Sequence, residues 1–273
     1  PGEWPAPARI AAVSDVHGRL DALLRLLAAH GIVDGSRRWT FGTGHLVIDG
    51  DVFDKGAQVT AILWLIRSLE AQAQAAGGRV HLVMGNHESM SLRGNLRSLH
   101  PAYQAMGWRP QELFGPGSEQ GRWLRTRPVL LRLGDTLFVH AGVCPALLEA
   151  ELPVAACNAR FSRALDLEKK DLLLSKQGPI WYRGLLPLGG AADATPAQVE
   201  ALLGAFGVKR IVAGHQVLDR VRAFHGGRVF GIDAGMERGR PGELWIWDGG
   251  RPWRGLADGT RIPLDAPEAP AGR

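Results

Sequence analysis

Six side chains of the types that bind cations through oxygen or nitrogen each follow a short apolar run. They are Asp15 and His17 after Arg9 to Val13, Asp51 after Leu46 to Ile48, Asn86 after Val80 to Met84, His140 at the end of Thr136 to His140, and His215 after Arg210 to Ala213. Residues two apart on an extended segment point the same way, so Asp15 and His17 can grip one cation, and Gly18 lets the backbone turn away beyond them. The run Asp49-Gly50-Asp51-Val52-Phe53-Asp54-Lys55-Gly56 puts acids and a cation at the same edge. Taken singly, each word has a plain structural reading: an aspartate or Asn86 capping a helix, a solvated acidic loop, a satisfied histidine. Taken together they stand at five strand ends, and the carboxyl ends of strands in open α/β sheets are where sites assemble.

The elements that must position them follow from periodicity. Arg9 to Val13 reads as a buried strand, and from Gly18 an amphipathic helix sets Leu20, Leu23, Leu24 and Leu27 on one face. The unit repeats with Leu46 to Ile48 and the helix Val59 to Leu69, then with Val80 to Met84 and a helix from Glu88 onward. Strands alternating with helices predict an α/β fold with a largely parallel sheet. Gly134-Asp135 between Val129 to Leu133 and Thr136 to His140 signals a hairpin. Residues 145–190 read as helical and irregular, and Ala197 to Phe206 as a helix before the strand Arg210 to Ala213. Val221 to Phe224, Arg228 to Ile232 and Glu243 to Trp247 read as a meander with turns at Gly226-Gly227 and Gly249-Gly250. The chain shows no fixed-period repeat and no clean linker, which predicts an arm over 1–8, one domain with two sheets over 9–264 and a fraying Pro- and Ala-rich tail over 265–273.

Asp15-Val-His-Gly, Gly50-Asp-Val-Phe-Asp-Lys-Gly, Gly85-Asn-His-Glu, His140-Ala-Gly and Gly214-His215 resemble the signature of calcineurin-like metallophosphatases. Within that superfamily the chain resembles the phosphoprotein-phosphatase branch, and Gly85-Asn-His-Glu-Ser-Met with Leu92-Arg-Gly is similar to bacterial and plant Shewanella-like phosphatases. The resemblance implies a four-layer α/β/β/α sandwich with mixed sheets and two metal ions, the first held by Asp15, His17 and Asp51, the second by Asp51, Asn86, His140 and His215. A ligand set of carboxylate, amide and imidazole without thiolate suits Mn²⁺, with Fe or Zn²⁺ as alternatives.

The activity so implied is hydrolysis of phosphomonoesters by in-line attack of a metal-bridging hydroxide. His87 is the expected general acid and Asp54 its orienting partner. Arg183, in Pro179-Ile180-Trp181-Tyr182-Arg183-Gly184, resembles a second phosphate-binding arginine; its alternative is a surface residue stacked on Trp181. Asn86 and Lys55 are further expected substrate contacts. Lys55 departs from the family's Asp-Arg-Gly, keeping the charge without the bidentate fork. Arg19 and Arg93 are other candidate cations. Residues 89–127 and 144–188 are the expected lids, with Tyr103, Trp108 and Phe114 as a pocket for an aromatic leaving group.

Substrates consistent with this reading are phosphotyrosine, phosphoserine or phosphothreonine in proteins, or small phosphomonoesters. A phosphodiesterase or dinucleotide polyphosphate hydrolase on the same metals is the alternative, since one scaffold hosts several phosphoester reactions. A dead phosphate-binding module is disfavoured because every ligand and both members of the acid pair are present. Net charge is +5, carried by arginines scattered along the sequence, which leaves nucleic acid an unexpected partner and gives a weak pull on anions. Hydrophobic residues at 45% without a membrane-length apolar run predict a soluble, monomeric chain. Cys144 and Cys157 are too few for a disulfide scaffold and leave one bridge or two buried thiols open. The sequence starts at Pro1 without an initiator Met, so a cleaved signal peptide with periplasmic export and a trimmed cytoplasmic chain are both open readings.

Overall fold

The computed structural model describes residues 2–107, 109–167, 170–190 and 193–264, so Trp108 and the tail lie outside the described residues. In chain order the elements are β1 (Glu3–Trp4), β2 (Ile10–Val13), α1 (Leu20–Ala29), β3 (His45–Asp49), α2 (Val59–Ala75), β4 (Arg79–Val83) and α3 (Asn86–Leu92). Short helices α4 (Pro101–Ala105), α5 (Pro110–Phe114) and α6 (Glu119–Arg125) lead to β5 (Leu130–Leu133) and β6 (Thr136–Val139). Then follow α7 (Ala146–Glu149), α8 (Val154–Leu165), α9 (Pro196–Phe206), β7 (Arg210–Ala213), β8 (Arg222–Phe224), β9 (Val229–Gly231), β10 (Leu244–Asp248), β11 (Arg251–Gly255) and β12 (Arg261–Pro263).

The strands form two mixed six-stranded sheets, ordered β1-β5-β6-β7-β9-β8 and β12-β11-β10-β2-β3-β4. Alternation along each central strand sorts its side chains between two cores. Ile10, Ala12, Val47 and Trp245 of one sheet meet Phe138, Val212 and Phe230 of the other, whereas Ala11, Val13, Leu46, Ile48, Leu137 and Ile211 face the helices. A strand buried on both faces reads as a continuous apolar run, and Ile10–Val13 is of that kind. The result is the expected α/β/β/α layering.

Three features differ from the sequence reading. The arm carries an edge strand, β1, parallel to β5. The meander does not exist as one unit, because β8 and β9 pair with each other while β10 crosses to the other sheet and runs antiparallel to β2. Trp245 explains the crossing: it is fully buried between the sheets, edge-on to Phe138 at 5.8 Å, a position that an exposed meander edge cannot offer. Beyond it, β11 and β12 extend that sheet with polar, half-exposed strands whose pattern carried no strong strand signal. Cys144 and Cys157 are both buried free thiols. No described helix is long and apolar enough to cross a membrane.

Candidate metal centre

The parallel strands of both sheets end at one edge, and the residues just past β2, β3, β4, β6 and β7 converge there. The loops at this edge are strained. Among the described residues nine non-glycine positions have φ in the left-handed region, and Asp15, His17, Asp51, Asp54, Lys55 and His215 are six of them. Such conformations cost of order 1–3 kcal/mol each and persist where function requires them. Asp15 (φ 53) and His17 (φ 43) are therefore not on an extended segment, although Asp15 Oδ1 still comes within 3.9 Å of His17 Nε2. Glycines allow the close approach: a Cβ on Gly85 would collide with Asp51 Oδ1, and one on Gly214 with Ser14 Oγ.

Two groups of side chains offer ligand atoms within 4.8 Å of one another, His17 with Asp51 and His87, and Asp51 with His140 and His215. Asp51 belongs to both. Its Oδ2 lies 3.3 Å from His140 Nε2, 3.7 Å from His17 Nε2 and 3.9 Å from His87 Nε2. Backbone carbonyls set the imidazole tautomers, Phe53 O at 2.6 Å from His17 Nδ1 and Asp49 O at 2.9 Å from His140 Nδ1. With Nδ1–H donated to a carbonyl, Nε2 of each neutral ring presents a lone pair to the centre. His140 Nε2 faces Asn86 Oδ1 at 3.0 Å as well as Asp51, two acceptors that either a proton on Nε2 or a cation satisfies. His215 Nε2 is buried without a hydrogen-bond partner. These donors fit a pair of metal ions.

Electrostatics agree. Burial pulls the His17 imidazole down to about 4 against the opposing pull of Asp51, and burial with the neighbouring His140 holds His215 far below its usual range, so both are neutral at ordinary pH, the form that a metal ligand needs. His140 is the exception: burial lowers it, but Asp51 and Asp15 outweigh burial and hold it well above its ordinary value, so without a cation its Nε2 keeps a proton that metal binding would displace. Burial and Asp233 push Asp15 up, whereas for Asp51 the surrounding imidazoles overcome burial and hold the carboxylate ionised.

His87 Nδ1 lies 2.8 Å from Asp54 Oδ2, and Asp54 is fully buried. Burial lowers His87, yet the Asp54 hydrogen bond and the charge of Asp51 raise it on balance, which favours a proton on the ring. The centre opens into a cleft of about 480 Å³ lined by Lys55, Arg97, Trp181, Arg183 and Arg238 among others. Both expected lids reach it, one with Arg97 and Ser98, the other with Trp181 and Arg183. Trp181 packs edge-on against His215 at 5.8 Å, and Arg183 is exposed beside it.

Several expectations are corrected by the packing. Arg93 is no phosphate ligand, because its Nη1 donates to the carbonyls of Ala164, Leu165 and Leu167. Arg19 lines a neighbouring cleft instead of this one. Tyr103 and Phe114 are core residues: the Tyr103 hydroxyl accepts the Thr60 N–H at 3.1 Å, and Phe114 packs on Phe53. Residues the sequence did not single out also stand here. Asp233 follows β9 at the same edge, and burial pushes its carboxyl up to about 6; its place after an apolar strand was a usable signal. Glu237 forms an ion pair with Lys55 and lies 3.6 Å from His17 Nε2, and nothing in its local sequence marks it. Glu88 accepts the backbone N–H groups of Asp51, Val52, Phe53 and Gly85, and so holds the Asp51 loop onto the start of α3.

Comparison with known proteins agrees with this geometry. The profile described as calcineurin-like phosphoesterase matches residues 8–219. The chain is similar to an uncharacterized protein of Schizosaccharomyces pombe, 31% identical over 87% of this chain and 76% of that one. It is also similar to Shewanella-like protein phosphatase 1 of Plasmodium berghei, 24% identical over 84% of this chain and 67% of that one. A crystal structure of a cold-active protein-tyrosine phosphatase from a psychrophilic Shewanella superimposes with a TM-score of 0.91 at 37% identity, covering 97% of this chain and 82% of that one.

Proposed function

Because the chain belongs to the calcineurin-like phosphoesterase family and is a metal-dependent phosphatase, we propose that it hydrolyses phosphomonoesters on protein side chains, phosphotyrosine foremost. The carrying observation is the Asp51 carboxylate, whose Oδ2 lies within 3.9 Å of three imidazole nitrogens from three strand ends. Asp15, His17 and Asp51 would hold one ion, and Asp51, Asn86, His140 and His215 the other. The donor set favours Mn²⁺, with Fe or Zn²⁺ as alternatives. When bound, the ions supply charge to the phosphoryl group and acidify water.

The protein's own part is positioning and proton transfer. Asp54 holds the His87 ring so that Nε2 carries the mobile proton toward the cleft, where it passes to the leaving oxygen. Arg183 binds a phosphoryl oxygen, and its planar fork favours a bidentate grip. Lys55 adds a second cation, steadied by Glu237. The choice of phosphotyrosine rests on the likeness to the Shewanella tyrosine phosphatase.

The test is metal content together with turnover of phosphotyrosine, phosphoserine and phosphothreonine peptides and a phosphodiester. Two divalent ions per chain and faster monoester hydrolysis are expected. Full metal occupancy with the diester favoured would overturn the monoesterase reading.

A further inference from the structure

Arginines that lie apart in the sequence gather in a second hollow. A cleft of about 600 Å³ is lined by Arg19, Arg25, Lys55, His100 and Arg240, with Asp21 the one acid among the described residues that line it. It shares Lys55 with the metal cleft, so the two hollows adjoin. Several arginines elsewhere are matched by acids, as in Arg127 with Glu70, Arg125 with Asp166, Arg254 with Glu243 and Arg210 with Asp135. Arg19 and Arg25 are exposed and have no carboxylate partner among the described residues. Concentrating unmatched guanidinium groups in a hollow costs repulsion, which an anionic ligand relieves, and their forks suit carboxylate or phosphate oxygens.

We propose that this cleft is an anion subsite that binds an acidic residue, carboxylate or phosphorylated, near the phosphorylated side chain of a peptide substrate. The proposal rests on the phosphatase reading and deepens it. A peptide fits better than a nucleotide because, among the described residues, no Phe, Tyr or Trp lines the cleft to stack a base.

The experiment compares a neutral phosphotyrosine peptide with peptides carrying one Glu, or one phosphoserine, at successive positions on either side. The wild type is expected to prefer some of the acidic peptides about tenfold in kcat/KM, through KM, with the advantage fading at about 0.5 M salt. The Glu and phosphoserine series separate the two sources of the anion. Arg19→Ala/Arg25→Ala is expected to abolish the preference and leave hydrolysis of p-nitrophenyl phosphate unchanged; Arg25→Gln alone is the milder variant should the double one fold poorly. No acidic preference in the wild type, a preference for a dinucleoside tetraphosphate alone, or equal loss on p-nitrophenyl phosphate would overturn the subsite. Absence of any wild-type turnover would sink the catalytic reading alone, because fluorescence anisotropy of a labelled acidic phosphopeptide reads the cleft directly: weaker binding by the double variant supports the subsite, and equal binding overturns it.

Discussion

Asp51 presents Oδ2 to three imidazoles and accepts the His87 amide with Oδ1 at 3.0 Å, so both of its oxygens are committed. Asp51→Asn substitutes an amide donor for an oxygen that must face cations. Metal content by mass spectrometry should fall, and turnover should drop on the order of a hundredfold or more. His87 differs in kind, because its Nδ1 is spent on Asp54 and only Nε2 faces the cleft. His87→Asn should retain the metals and slow turnover by roughly a hundredfold or more. Loss of metal in that variant would make His87 a ligand, as its grouping with His17 and Asp51 allows, and an unchanged rate would remove it from the mechanism.

Between residue and fold stands the joint of the Asp51 loop with α3. Glu88 is fully buried and its two oxygens accept four backbone N–H groups, so its charge is supported by hydrogen bonds instead of water. Glu88→Gln turns one oxygen into a donor aimed at donors. It should cost about 1–3 kcal/mol in urea denaturation and weaken metal binding without touching a metal. A variant as stable as the wild type would show the loop held by other contacts. The pair His45 and His81, on neighbouring strands β3 and β4 with ring nitrogens 3.1 Å apart, is buried. Burial pulls them to about 4 and about 3, below the unfolded value of 6.5. The unfolded chain thus takes up protons first, so their contribution is intact above about pH 6.5 and is lost as pH falls toward 4. His81→Gln should flatten the decline in denaturation midpoint from pH 7 to 5, and an unaltered slope would place the titration elsewhere. At this scale the sequence was legible where periodicity acts locally, in Ile10–Val13, Leu20–Ala29 and Val59–Ala75. It located β10 but mispaired it, because its partner β2 lies more than two hundred residues away and is chosen by burial of Trp245.

For the whole molecule, the same distinction decides which site residues could be read. The convergence of Asp15, His17, Asp51, Asn86, His140 and His215 at one edge was legible because strand ends at a shared sheet edge are implied by the alternation of elements. Glu237 was not, since its place beside Lys55 depends on how the segment after β9 folds back over the cleft. The centre also joins the sheets: His17, Asp51 and Asn86 follow strands of one, His140, His215 and Asp233 strands of the other. Without cations, Asp15, Asp51 and Asp233 form a buried acidic cluster across that seam, and the raised carboxyls of Asp15 and Asp233 register its cost. Metal binding should therefore stabilise the packing of sheet on sheet as well as the site. At a hundredfold excess over Kd one such site contributes about 2.7 kcal/mol. In a chain of this size each kcal/mol moves Tm by roughly 2–4 °C. Chelation should lower Tm by that order and Mn²⁺ should restore it, whereas Asp51→Asn should show neither change. A wild-type Tm indifferent to chelator, with metal verified as removed, would mean that the sheets pack independently of the ions.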